Sequence, residues 1–243
     1  EAPAAVNALL ADLPETPPYF TRMKEINRNG PVVRGLGNGV PPPAAIATAD
    51  AAALVEDGAL VIDLRSPEAF AAGHPSGALN IGAGPRIGFW AGWLVPPAMP
   101  LVLLGVNPGQ AADANRQLIR LGFDDVVGFV GGDISQWRQE GGRLSNVELI
   151  NARELRDRLQ RREQLTLVDV RTSQEWLGGH IREAINIPVG DLPGRADELR
   201  GPNPVVTVCE TGYRSSLASS VLARAGVQVV NVSDGTAAYR MLE

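Results

Sequence analysis

An internal duplication constrains this chain more than any other feature of its sequence. Val61-Ile-Asp-Leu-Arg65 returns as Leu167-Val-Asp-Val-Arg171, 106 residues later. Gly73-His-Pro-Ser-Gly-Ala-Leu-Asn-Ile81 returns as Gly179-His-Ile-Arg-Glu-Ala-Ile-Asn-Ile187 at the same offset. Pro100-Leu-Val-Leu-Leu-Gly105 then corresponds to Pro204-Val-Val-Thr-Val-Cys209, and Arg120-Leu-Gly122 to Arg224-Ala-Gly226, at an offset of 104. A repeat of this length predicts two structural units, roughly 44–140 and 145–243, with Gly141-Gly-Arg-Leu144 inside the joint.

Each copy alternates short apolar runs with helical pattern. In the second copy, Asn151-Ala-Arg-Glu154 reads as a capping box opening a helix through about Gln160. Leu165 to Val170, Pro204 to Val208 and Val227 to Val232 read as strands covered on both faces. Ser215 to Ala225 carries Leu217, Val221 and Leu222 at helical spacing. Strands alternating with helices predict an α/β fold: a mostly parallel sheet with helices on both faces. Ligands of such sheets bind at the carboxyl ends of the strands, where Cys209 falls.

Residues 1–43 belong to neither copy. Ala4 to Leu13 and Tyr19 to Asn27 read as helices, separated by Pro14, Pro17 and Pro18, and Val40-Pro-Pro-Pro-Ala44 as a stiff linker. The start at Glu1 rather than methionine leads us to expect a processed product or a piece of a longer protein, and no signal peptide is visible. Prolines 96, 97 and 100 interrupt the apolar stretch from Ile87 to Val106, which reads as buried loop and strand instead of a membrane span.

Hydrophobic residues make up 44% and charged residues 20%, the balance of a globular protein. A net charge of −5 argues against nucleic-acid or anionic-membrane partners. Cys209 is the single cysteine, so no internal disulfide and no CxxC zinc site exist, and with only His74 and His180 beside it neither a metal centre nor a cofactor is expected. A lone cysteine fits a reducing compartment, and a cytoplasmic location is expected.

Cys209-Glu-Thr-Gly-Tyr-Arg-Ser215 joins a strand to a helix. Its backbone N–H groups can curl around the sulfur as an anion nest, and the helix N-terminus adds partial positive charge. Both favour thiolate over thiol, and the Arg214 guanidinium is expected to add to them. Gly212 supplies the freedom for a tight turn. A cysteine so placed is a nucleophile, whereas a cysteine without these neighbours is usually a small buried hydrophobe. Only four residues separate Cys209 from Arg214, one fewer than in cysteine phosphatases. The smaller ring of amides suits a single added sulfur atom better than a tetrahedral oxyanion, which disfavours a phosphatase or arsenate reductase.

These residues resemble the rhodanese family. Asp63-Leu-Arg65 with Gly73-His74, and Asp169-Val-Arg171 with Gly179-His180, are similar to its repeated patterns, and Cys209 to Arg214 resembles its active-site loop. The resemblance implies two five-stranded rhodanese-like domains and transfer of a sulfane sulfur through a Cys209 persulfide, with Glu210, Thr211, Gly212, Tyr213, Arg214 and Ser215 forming the substrate loop. Thiosulfate or a low-molecular-weight persulfide such as glutathione persulfide is the implied donor, and a thiol (or cyanide in vitro) the acceptor. Pro18 to Pro31 and Phe89 to Pro96 resemble segments of fused persulfide dioxygenase–rhodanese proteins. That likeness implies a metallo-β-lactamase-fold domain, fused or as a partner, that would hold the iron site outside this chain. A non-catalytic docking or sulfur-relay module of such a fusion is the alternative.

The first copy departs from the pattern. Gly105 stands in the place of Cys209, and Gly105-Val-Asn-Pro-Gly-Gln110 has no arginine, so a structural or docking role is expected. Trp90 and Trp93 read as core or interdomain packing in preference to a lid. His74 repeats His180, which argues for a shared structural role over a base, and Asp169 is expected to anchor its turn through backbone N–H groups and Arg171. Arg182 and Arg171 remain candidates for contacting an anionic donor. Arg153 to Glu163 alternates charge as a solvated helix face does.

Overall fold

The computed structural model describes residues 16–30, 39–131 and 134–242. The expected helix Ala4–Leu13 lies outside the described residues. Two compact units divide at Gly35. In the first, helix α1 spans Tyr19–Asn29, with Tyr19 and Phe20 in edge-to-face contact at 5.2 Å.

The second unit holds both copies of the repeat. Its elements run α2 (Thr48–Glu56), β1 (Leu60–Asp63), α3 (Pro67–Ala72), β2 (His74–Pro75), β3 (Leu79–Asn80), α4 (Ile87–Leu94), β4 (Leu101–Leu104), α5 (Pro108–Ile119), β5 (Val126–Val130), α6 (Ser135–Gln139) and β6 (Leu144–Ser145). The second copy continues with β7 (Glu148–Ile150), α7 (Ala152–Gln160), β8 (Thr166–Asp169), α8 (Ser173–Leu177), β9 (Ile185–Asn186), α9 (Leu192–Arg195) between two 3₁₀ turns, β10 (Val205–Val208), α10 (Tyr213–Arg224), β11 (Val229–Val232) and α11 (Gly235–Arg240).

The duplication is visible in the sheets. Their orders are β3-β1-β4-β5 and β7-β11-β10-β8-β9, with every pairing parallel. The central strands are short β-branched and leucine runs buried on both faces, as parallel strands between helices require. In the first sheet the fifth position shrinks to one parallel bridge, Ala45 to Phe129. Pro41, Pro42 and Pro43 precede it without N–H groups, so pairing has no donors with which to extend.

In the second copy, Leu217, Ala218 and Leu222 of α10 pack with Val168, Val205 and Val229. The opposite face, Leu167, Val206, Val208, Val230 and Val232, is covered by Leu155 of α7 and Tyr239 of α11. The α10 side belongs to the same hydrophobic cluster as the core of the first copy, so one core runs through both repeats.

Several expectations are corrected. Ile87–Leu94 is a helix, not loop. Its apolar residues surround the axis, with Trp90, Ala91 and Leu94 buried and Phe89 exposed, so no polar stripe marks the helical period. Helix α10 starts at Tyr213, two residues before the expected Ser215. At Asn151 only half of the capping box forms: its side chain accepts from Glu154 N–H at 2.9 Å, while Glu154 pairs with Arg158 at 2.7 Å. Among the described residues no helix is long and apolar enough to cross a membrane.

Candidate active site

Both copies build the same turn at the end of β1 and β8. Asp169 accepts from the Arg171 N–H at 3.0 Å and from its guanidinium, while Arg171 Nη2 donates to Gly179 O at 2.8 Å. Asp63, Arg65 and Gly73 O repeat this arrangement in the first copy. His74 Nδ1 lies 2.8 Å from Phe70 O and His180 Nδ1 3.0 Å from Trp176 O, each imidazole stacked on that aromatic ring. Asn80 and Asn186 each donate through Nδ2 to the Asp and Arg carbonyls of the same turn. The repeated Asp, Arg, His and Asn therefore form a structural unit common to both copies. Burial pushes the His74 imidazole below its ordinary value.

Cys209 emerges from β10 beside this turn. Val170 N–H donates to Val208 O at 2.9 Å, which aligns the two strand ends. The loop then turns at Gly212, whose φ is +93°, and enters α10. No side chain caps that helix, so the N–H groups of its first turn, Tyr213, Arg214 and Ser215, lack intrahelical acceptors. They are suited to receive negative charge at the loop centre. Cys209 Sγ lies 3.6 Å from the buried Ser215 hydroxyl, which itself donates to Gly212 O at 3.0 Å. The cysteine is 1% exposed.

Two glycines hold the loop at close quarters. A Cβ at Gly212 would sit 1.9 Å from Ser233 O, and one at Gly235 would sit 2.4 Å from both Cys209 O and Glu210 O. The turn into α11 ties the loop through Thr236 N–H to Cys209 O at 2.8 Å and Ala237 N–H to Glu210 O at 3.2 Å. Glu210 also accepts from Thr236 Oγ1 at 2.9 Å, from Arg240, and from Arg171 Nη1 at 3.4 Å. The Arg240 hydrogen bond holds its carboxyl below the usual carboxylate range. Thr211 is the exposed residue of the loop.

The arginines are tied to carboxylates. The Arg214 guanidinium still interacts electrostatically with Cys209, as expected, and makes a two-pronged pair with Glu175, both bonds at 2.7 Å. This bond pulls the Glu175 carboxyl down to about 2. Arg171 is 3% exposed and fully engaged, so it reaches the loop only through Glu210 and is not available to a donor. Arg182 is exposed, and among the described residues no hydrogen bond or ion pair ties it to the loop.

Sequence reasoning missed Glu175, although Thr172-Ser-Gln-Glu175 carries a capping-box signal; the structure forms both halves of that box. It also missed Thr236, Gly235 and Arg240, which reach the loop from a helix that no motif marks.

The first copy's equivalent loop is occupied by its own residues. A Cβ at Gly105 would lie 2.2 Å from Arg65 Cγ, and Gly105 has φ +79°. Asn107 and Gln110 cap α5 reciprocally, so N–H groups that a nest would use are taken. Trp93 packs on the second copy, where a Cβ at Gly190 would lie 2.5 Å from its ring, while Trp90 is buried. Both tryptophans are therefore packing residues, not a lid.

Comparison with known proteins agrees with this geometry. The rhodanese-like domain model matches residues 47–140 and 151–242. The chain is 34% identical over 94 residues to a sulfurtransferase of Allochromatium vinosum, covering 38% of this chain and 88% of that protein. It is 36% identical over 93 residues to a thiosulfate sulfurtransferase of Pseudomonas paraeruginosa, covering 38% and 82%. A transcriptional regulator of Mycobacterium tuberculosis is 41% identical over 87 residues, and this chain spans only 38% of its length. A solved thiosulfate sulfurtransferase of Pseudomonas aeruginosa aligns over 82% of this chain and 42% of its own at 25% identity, with a TM-score of 0.37. The twice-built Asp-Arg turn, the strand-to-helix cysteine loop and a family match over both repeats converge: this chain belongs to the rhodanese-like domain family, with sulfurtransferases among its relatives.

Proposed function

We propose that the chain is a sulfurtransferase that carries a sulfane sulfur on Cys209. The observation that supports this best is the uncapped first turn of α10 facing the cysteine loop. The Cys209 thiolate attacks the outer sulfur of thiosulfate or of a low-molecular-weight persulfide such as glutathione persulfide. A bond forms between Sγ and that sulfur as the donor S–S bond breaks, and sulfite or a thiolate leaves with the electron pair. The N–H groups of the loop hold the negative charge at the terminal sulfur; by analogy with an oxyanion hole, each donor contributes about 3 kcal/mol. An acceptor thiolate then attacks the terminal sulfur, takes it as a new persulfide and releases the Cys209 thiolate. The catalytic domain in this reading is 145–243, and 44–140 is its degenerate companion.

A docking or sulfur-relay role for a metallo-β-lactamase-fold domain is the second reading. It draws support from the near-complete burial of Cys209 and from the likeness of Pro18 to Pro31 to such fusions. Intact mass after incubation with thiosulfate, and separately with glutathione persulfide, distinguishes the two. The expected result is a gain of one sulfur, absent in Cys209→Ser and reversed by added thiol. Folded protein with a free thiol that gains nothing from either donor would overturn the transferase reading in favour of docking.

A further inference from the structure

The Asn80–Ile81 segment of the first copy touches the catalytic helix of the second. Ser216 Oγ donates to Asn80 Oδ1 at 2.8 Å, and both residues are buried. Tyr213 Oη donates to Ile81 O at 2.6 Å, and its ring lies against Gly82, 3.4 Å from where a Cβ would be. At the far end of the same helix, Arg224 Nη1 donates to Gly77 O at 3.1 Å. Tyr213 and Ser216 are three residues apart, so they share one face of α10. Burial pushes the Tyr213 phenol up, which keeps it a neutral donor.

We propose that the degenerate copy positions the catalytic loop, with Asn80 as a positioning residue that acts through Ser216. Nδ2 of Asn80 is spent on Asp63 O and Arg65 O at 3.3 and 3.1 Å, which orients the amide and leaves Oδ1 for the other copy. Asn186 makes the same two Nδ2 bonds, at 2.9 Å each, within the second copy. A residue that the repeat uses to close its own turn thus has, in the first copy, a second contact at the start of α10. That contact and the Tyr213 bond fall on the turn whose N–H groups face Cys209. The aim of those groups at the sulfur therefore depends on a domain that contains no nucleophile. This role rests on the Cys209 loop being the working site of a sulfurtransferase.

The test follows Cys209 directly, since it is the only thiol in the chain. Carboxymethylation by iodoacetate, an anion, is measured from pH 5 to 10 in the full chain, in Asn80→Ala, in Ser216→Ala and in the double variant. Sulfur uptake from thiosulfate and from glutathione persulfide, and thermal unfolding, are recorded beside it. Each single variant is expected to lower the iodoacetate rate roughly five- to tenfold, the worth of about one hydrogen bond, and to displace the pH–rate profile. Adding Ser216→Ala to Asn80→Ala is expected to change nothing further, because one bond has already been lost. Should Asn80→Ala fail to fold, Tyr213→Phe removes a single hydroxyl and is expected to show the same displaced profile.

Variant profiles that overlay the wild type, or full additivity in the double variant, would overturn the positioning role while normal sulfur uptake left the transferase reading intact. Sensitive profiles with no sulfur uptake by the wild type would overturn the transferase reading and reduce the Asn80–Ser216 contact to a structural support of the Cys209 loop. A wild-type Cys209 inert to iodoacetate and to both donors would overturn both.

Discussion

The Glu175–Arg214 pair offers the sharpest quantitative test of how this site is held. Glu175→Gln preserves the shape of the side chain and an oxygen for the Thr172 N–H, but removes the charge that receives Arg214 through two bonds at 2.7 Å. A carboxyl held at about 2 instead of its ordinary 4.5 would be worth about 3 kcal/mol if fully shielded from solvent. Its side chain is 37% exposed, so solvent screening reduces this to about 1–2 kcal/mol. The variant should therefore unfold about 3–6 °C lower at neutral pH. Losing the anchor of Arg214 should also lower kcat/KM for thiosulfate by about 5- to 30-fold.

The pH dependence has a definite sign. Because folding depresses the Glu175 carboxyl, its stabilisation is fully present above about pH 4.5 and fades as pH falls toward about 2. Unfolding of both proteins by urea between pH 7 and pH 3 should show the gap narrowing across the acid range. A gap that is constant with pH would refute the ion pair as its origin. An unchanged or raised kcat/KM would refute the idea that Glu175 positions Arg214 for the reaction.

Two further substitutions probe the loop and its degenerate counterpart. Gly212→Ala places a methyl 1.9 Å from Ser233 O at a φ of +93°; it should cost more than about 2 kcal/mol in urea unfolding and lose most sulfur uptake. Gly105→Cys should not create a second persulfide, because its Cβ would lie 2.2 Å from Arg65 Cγ and the helix start behind it is already capped. Intact mass after thiosulfate should show one added sulfur, not two.

Much of this arrangement was legible because local chemistry dictates it. Parallel strands buried on both faces leave continuous apolar runs, and a glycine after such a run marks where the chain turns from strand into helix, so the position of Cys209 was readable. The Asp169–Arg171 turn and the His180 contact were readable because duplication displays them twice, once with no nucleophile nearby. What escaped depends on tertiary packing. The charge partner of Arg214 lies 39 residues away, and Asn80 lies 136 residues from Ser216. No periodicity links them. Helix α4 escaped for another reason: an almost wholly apolar segment shows no stripe by which a helical period can be recognised.

The joint between the copies has a consequence for how this chain comes apart. Leu144 and Ser145 pair antiparallel with Pro75 and His74, Val147 N–H donates to Ala71 O, and the two serine hydroxyls of Ser76 and Ser145 meet at 2.8 Å. The segment that leads into the second repeat is stitched to the first, and α10 is buried between them. The two repeats therefore form a single cooperative body, in which neither can melt without exposing the flank of the other.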